Sequence, residues 1–150
     1  MHDPKQLITD YLRGGMVAQL ATTQGGRPWV CTVYYVVDEK LNVYWLSYPT
    51  RRHSEDIAAN GAAALTVAVK PDMPVVGVQM EGEAQQVTNL AVISKVIPLY
   101  IKKYGAGRQF IAKFKQGINR HALYRLTPTR IVLFDEQNFG QDNAQELLIR

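Results

Sequence analysis

The sequence predicts a mainly β protein of the α+β kind: an antiparallel sheet of about six strands, curled into a small closed or half-open barrel and flanked by a few helices. Three observations lead there. Segments rich in β-branched and aromatic residues, Trp29–Val37 above all, alternate with the turn signals Gln24-Gly25-Gly26 and Asp38-Glu39-Lys40, as hairpins do. A short helical segment separates the third and fourth strands. A stretch with helical spacing, Asn89 to Gln116, interrupts the strands before the last long one.

Composition fits one domain spanning residues 1–150. A chain of 150 residues, 47% hydrophobic and 20% charged, is globular and long enough to bury a core. No apolar run is long enough to span a bilayer, so no membrane association is expected. The opening Met1-His2-Asp3-Pro4-Lys5 lacks a signal-peptide pattern, and the expected location is the cytoplasm. Cys31 stands alone, which excludes an internal disulfide and a cysteine-rich metal site. The net charge of +4 favours an anionic partner only weakly.

In chain order, Asp3 can cap a helix with Pro4 at its first position, and Leu7, Ile8, Tyr11 and Leu12 form its apolar stripe up to Gly14-Gly15. Strands follow over Met16–Thr23, Trp29–Val37 and Leu41–Ser47. Glu55 to Asn60 reads as a short helix closed by Gly61. A fourth strand runs over Ala62–Val69 and a fifth over Val75–Val87, where Gly77 and Gly82 suggest a bulge or a close approach to the backbone. Val92, Val96, Leu99 and Tyr100 share a helix face that Pro98 would kink or split. Phe110, Ile111 and Phe114 would face inward from a second helix. Leu123 to Phe134 returns to strand, with Pro128 implying a bend or an edge, and the polar tail holds a short strand at Leu147-Leu148-Ile149.

The most informative stretch is Thr50-Arg51-Arg52-His53-Ser54, between the third strand and the short helix. Thr50 is the expected N-cap, which puts Arg51, Arg52 and His53 in the first turn. Cations are disfavoured at that end, where the unpaired N–H groups and the helix dipole are already positive. They make sense around a bound anion, most often a phosphate. The alternative is that Glu55 and Asp56 neutralise the turn and the arginines are solvated.

The run Leu20-Ala21-Thr22-Thr23, the hairpin Trp29–Ser47, Thr50–Gly61, Val78-Gln79-Met80-Glu81-Gly82-Glu83-Ala84 and the closing Tyr124-x-Leu126-x-Pro128-x-Arg130-Ile131 together resemble the flavin-binding split-barrel superfamily of pyridoxamine 5'-phosphate oxidase. Gly77-Val78-Gln79 and Phe139-Gly140 are similar to a small bacterial branch without a settled activity. The resemblance implies a six-stranded antiparallel split β-barrel and a homodimer that holds flavin mononucleotide (FMN) at its interface. It implies an FMN-dependent oxidoreductase acting on a small-molecule substrate, with the flavin carrying the chemistry and no identifiable catalytic acid or base.

The superfamily's Ser-Arg-Lys phosphate triplet aligns with Arg51, Arg52 and His53. Arg52 matches, His53 replaces the lysine, and Thr50 could supply the missing hydroxyl. A histidine would hold phosphate best when protonated. Ser47 falls at the hydroxyl position on the preceding strand, although Leu46 replaces a tyrosine. The Val30-Cys31-Thr32 backbone would lie along the flavin ring, without the arginine that often starts that segment. Gln79 would reach the cofactor from the fifth strand, offset by two residues. The Arg-x-His pair of a true pyridoxamine 5'-phosphate oxidase has no counterpart, since Gln141–Arg150 holds no histidine and Arg120-His121 is earlier and adjacent.

Other signals are weaker. Cys31 has no neighbour to lower its pKa. Gly105-Ala106-Gly107 lacks the preceding strand and third glycine of a dinucleotide loop, and His121 lacks partners at metal-ligand spacing. Glu81 and Glu83 read as solvated. Two rival functions stand beside the oxidoreductase. One is a non-catalytic carrier or sensor of flavin, deazaflavin or haem on the same fold. The other is a nucleic-acid module on Lys102, Lys103, Arg108, Lys113, Lys115 and Arg120, residues that also fit an ordinary solvated face.

Overall fold

The first hairpin sets the register of the barrel. β1 (Val17–Gln24) and β2 (Arg27–Val37) are joined by Gly25-Gly26, at φ 58° and 74°. Two consecutive positive-φ residues are what a twisted two-residue hairpin needs, and glycine adopts them without a Cβ penalty. The computed structural model describes residues 2–105, 108–115 and 120–149. Ala106 and Gly107 of the glycine pair, and the side chains of Phe110 and Ile111 expected to face inward, lie outside this description.

The remaining elements are α1 (Pro4–Gly14), β3 (Val43–Ser47), α2 (Arg52–Ala59), β4 (Ala62–Lys70), β5 (Val76–Val87), α3 (Leu90–Tyr104), α4 (Arg108–Lys115), β6 (Ala122–Asp135), α5 (Glu136–Phe139) and β7 (Gln145–Leu148). The strands follow the order β3-β2-β1-β4-β5-β6-β7, every pairing antiparallel. β6 also pairs with β3, from Val43 opposite Leu126 to Ser47 opposite Ala122, and this closes six strands into a barrel. β7 adds outside the closure, on the other half of β6, with Arg130 opposite Leu148.

β6 changes partners at a bulge. Glu81 faces Arg130 and Gly82 faces Pro128, so Thr129 is the extra residue beside the proline bend. Gly82 is required there: a Cβ would lie 2.0 Å from the Thr127 carbonyl oxygen. Gly61 has a similar role and is not a helix stop. α2 ends at Ala59 with Asn60 extended as its C-cap, while the Gly61 carbonyl accepts the Ala84 N–H at 2.7 Å and a Cβ would meet the Ala84 oxygen at 2.9 Å.

Alternation sends Leu20, Val33, Tyr35, Val43, Trp45, Val78 and Leu133 into the barrel interior. α1 joins that core through fully buried Ile8 and Leu12, capped by Asp3 as its sequence predicts. The Tyr35 hydroxyl donates to the Leu12 carbonyl at 2.6 Å and the Tyr11 hydroxyl donates to Asp135 at 2.7 Å. α3 runs through Pro98 without a break. It packs outside β2 and β3, where Val96 and Tyr100 meet Val36, Tyr44 and Leu123, joined by partly buried Phe114 from α4. α5, a single turn capped by Asp135, is not foreshadowed by the polar tail.

Candidate functional site

The start of α2 differs from its sequence-based expectation by one residue. The Tyr48 carbonyl accepts the Arg51 N–H at 3.1 Å, and this turn carries the chain past Thr50 before the helix begins. Arg51 is therefore the N-cap, in an extended conformation, and no side chain caps the first turn. Thr50 precedes the cap as an exposed residue. Beside these uncapped donors the Ser54 hydroxyl is buried with no hydrogen-bond partner. An uncapped helix start with an orphaned hydroxyl is a site with spare donors.

Arg51 and Arg52 are exposed, yet aromatic rings hold both. The Arg51 guanidinium carbon lies 5.4 Å from the Tyr48 ring centroid and that of Arg52 lies 4.4 Å from the Trp29 centroid. Arg52 Nε also reaches Asp56 at 3.9 Å, the long limit of an ion pair, while Asp56 accepts the Thr22 hydroxyl at 2.8 Å. Cation–π contact engages the face of a guanidinium and leaves its N–H groups able to fork onto an anion.

His53 and Ser47 are spent on one another: Oγ and Nε2 lie 2.7 Å apart and both side chains are buried. Burial, reinforced by Arg51 and opposed by Asp56, pushes the imidazole below its ordinary pKa. Burial therefore favours the neutral imidazole over the protonated form that would hold phosphate best.

On the outer face of the sheet, residues from β1, β2, β4, β5 and β6 surround a concave cavity of about 400 Å³. Ala21 lies opposite both Val30 and Ala64, and these small side chains leave a shallow trough bordered by Gln19, Thr66 and Gln79. Val30 is 61% exposed. Thr32 shares this face and donates to Gln19 Oε1 at 2.7 Å. Arg130, on the rim, is clamped by Glu146 at 2.6 Å and approached by Glu81 at 3.9 Å. Cys31 points the other way, half-buried against the barrel core, and burial pushes its thiol up to about 11, so it is an inert packing residue.

The structure thus brings Val30 and Gln79 to one cavity, with Thr32 on the same face, and joins Ser47 to His53. Thr50, Arg51, Arg52 and His53 do not line the cavity. Trp29 is the link, because it precedes Val30 and carries Arg52 on its ring. The stacking of Trp29 on Arg52 and the unpartnered hydroxyl of Ser54 are not foreshadowed by the sequence. Among the described residues no group of three or more His, Cys, Asp and Glu side chains could hold a metal ion. None of the described helices is long and apolar enough to cross a membrane.

A family model described as pyridoxamine 5'-phosphate oxidase matches residues 5–135. The chain belongs to that family. Solved structures share the barrel at low identity. A conserved hypothetical protein from Mycobacterium tuberculosis is 16% identical with a TM-score of 0.77, covering 95% of this chain and 91% of that one. A haem storage protein from Vibrio cholerae is 18% identical with a TM-score of 0.65, covering 85% and 91%. A FAD-binding protein from Mesorhizobium loti is 16% identical with a TM-score of 0.63, covering 87% and 92%. No curated protein matches the sequence. The family match ends at Asp135, so α5 and β7, including the Glu146 that clamps Arg130, lie beyond it.

Proposed function

We propose that the chain binds FMN between two copies of itself and acts as a flavin-dependent oxidoreductase on a small molecule, in the cytoplasm. The observation that carries this reading is the uncapped start of α2, where exposed Arg51 and Arg52 flank an orphaned Ser54 hydroxyl. That donor set fits a phosphate: free backbone N–H groups, two guanidinium forks and a hydroxyl, with Thr50 at the edge. The shallow trough fits the flat ring. The backbone of Val30, Cys31 and Thr32 would run along it, and Gln79 would meet its polar edge. Ser47 and His53 would support the phosphate loop as a pair. Bound flavin supplies hydride chemistry; the chain supplies the anion site, the orientation of the ring and the exclusion of water.

The same face supports the homodimer. Met16, Val17, Val30 and Tyr34 are 52%, 39%, 61% and 59% exposed, and β1 and β2 bring Val17 opposite Tyr34. A second copy of this chain would cover them. A non-catalytic haem reading is favoured by the fold likeness to the Vibrio cholerae haem storage protein.

The absorption spectrum of the purified protein, with the mass of its released ligand, separates these readings. A flavin spectrum and the FMN mass, with bleaching by a nicotinamide donor and recovery in air, support the oxidoreductase. A haem spectrum supports the carrier, and a deazaflavin has its own mass. Protein that takes up neither flavin nor haem when supplied with them refutes both.

A further inference from the structure

A second cavity, of about 360 Å³, lies between α3 and the turn that joins β2 to β3. It is separate in its lining from the concave trough. Tyr44 and Arg125, cross-strand partners on β3 and β6, both line it. α3 contributes Val92, Val96 and Leu99, and Leu99 is 41% exposed despite being apolar.

Most polar groups around this cavity are already committed. Asp38 Oδ1 accepts the N–H groups of Lys40 and Asn42 at 2.9 and 3.0 Å. Its Oδ2 accepts from the Asn42 side-chain amide and the Tyr44 hydroxyl, both at 3.0 Å. Glu39 faces Lys95 at 3.9 Å. Arg125 is only partly committed: its side chain donates to the Tyr44 hydroxyl oxygen, while its Nε is buried without an acceptor. Native structures rarely leave a buried N–H without an acceptor. The lining carries Lys40, Lys95 and Arg125 against Asp38 and Glu39, a net positive charge. A guanidinium with one N–H unpaired, in a net positive cavity of small-molecule size beside an apolar helix face, suits a ligand that is negative at one end and apolar at the other.

We propose that this cavity binds a small organic anion, its acidic head on the Arg125 guanidinium and its apolar body against Val92, Val96 and Leu99. The site is independent of the flavin reading and does not rest on it.

The test titrates the full-length protein with 8-anilinonaphthalene-1-sulfonate, which joins a sulfonate to an apolar aromatic body, and follows its fluorescence. One saturable site per chain is expected. Arg125→Met and Leu99→Asp should each weaken it by about tenfold or more, the loss of one charge-assisted contact. N-Phenyl-1-naphthylamine, which lacks the sulfonate, should bind the wild type more weakly and be indifferent to Arg125→Met. Leu99→Asp is at an exposed position and decides the matter even if Arg125→Met fails to fold. FMN titrated in parallel should bind wild type and Leu99→Asp alike, so a fault in either site is read separately. Wild-type affinity for the sulfonate probe in both variants would overturn the proposal. So would displacement of the probe by inorganic phosphate at comparable affinity, since the apolar half would then contribute nothing.

Discussion

Ser47 Oγ and His53 Nε2 lie 2.7 Å apart, a buried hydrogen bond that ties the end of β3 to the first turn of α2. His53 is a base whose folded-state pKa is pushed below its ordinary value, mainly by burial. The unfolded chain therefore binds the proton first as pH falls. Stability should be level above about pH 6.5 and should decline as pH drops from there towards the folded-state pKa. His53→Gln, which can still bond Ser47, should remove that decline. His121 is also pushed down by burial and contributes with the same sign, so the informative quantity is the difference between the two proteins. Melting temperatures at about pH 7.5 and about pH 5 check this. Equal losses in wild type and His53→Gln would mean that His53 does not feel its burial.

Gly82 and Gly77 lie on the same strand and predict opposite outcomes. A Cβ on Gly82 would sit 2.0 Å from the Thr127 oxygen and 2.9 Å from Pro128 Cα, both backbone atoms held by the bulge. Gly82→Ala should cost about 1–3 kcal/mol or more, because the ladder must move. At Gly77 the nearest atom is the Val67 oxygen at 3.6 Å, an ordinary contact. Gly77→Ala should stay within about 1 kcal/mol of wild type, since it also stiffens the unfolded chain. Urea denaturation of the two variants measures the contrast, and similar midpoints would contradict the assigned role of Gly82.

The elements set by local chemistry were legible in the sequence. Gly25-Gly26 between two β-branched runs announces its hairpin, and Asp3-Pro4 ahead of the Leu7, Ile8, Tyr11 and Leu12 stripe announces α1. What was not legible depends on contacts distant in sequence. Gly61 looks like a helix stop until β5 is seen to approach it at Ala84. The N-cap falls on Arg51 because of a turn from Tyr48 that no composition rule encodes. In the candidate site, alternation alone puts Val30 and Thr32 on one face and Cys31 on the other. By contrast, the stacking of Arg52 on Trp29 joins residues on two elements, and the isolation of Ser54 emerges only once its neighbours are placed.

A homodimer through the outer face of β1 and β2 should dissociate when that face is charged. Val30→Asp with Tyr34→Asp puts two carboxylates where Val30 and Tyr34 are now largely exposed, a change that costs the monomer the edge-on contact of Tyr34 with Tyr104 and costs an apolar interface far more. Sedimentation should give a dimer for wild type and a monomer for the double variant, with weaker flavin binding alongside. A monomeric wild type at micromolar concentration would refute the dimer and weaken the proposed flavin site, whose ring-binding face a second copy would complete.

Family membership alone does not fix this chain's activity. No histidine occurs in Gln141–Arg150, where the resemblance leads one to seek an Arg-x-His pair for the substrate. The late histidine, His121, stacks on Tyr48 with centroids 4.3 Å apart. A site selects a phosphorylated substrate through specific buried polar contacts, and analogues fail where these are missing. With FMN supplied, pyridoxine and pyridoxamine 5'-phosphates should not be oxidised above background. Turnover at about 1 s⁻¹ or faster would overturn this prediction.

Arg52 decides whether the first turn of α2 is a phosphate site. Its guanidinium lies over Trp29 and 3.9 Å from Asp56, so the side chain is placed before any ligand arrives. If it forks onto the FMN phosphate, Arg52→Ala removes a charge-assisted contact worth about 1.5–3 kcal/mol. FMN affinity should then fall roughly ten- to hundredfold. Arg52→Glu should fall further, because a carboxylate would face the phosphate. Riboflavin has no phosphate, and its affinity should change little in either variant. Fluorescence titration of the two ligands reads the difference directly. Equal losses for both in Arg52→Ala would show that removing the side chain from Trp29 disturbs the barrel and not a phosphate contact. No loss for either would return Arg52 to the role of a surface cation resting on an aromatic ring.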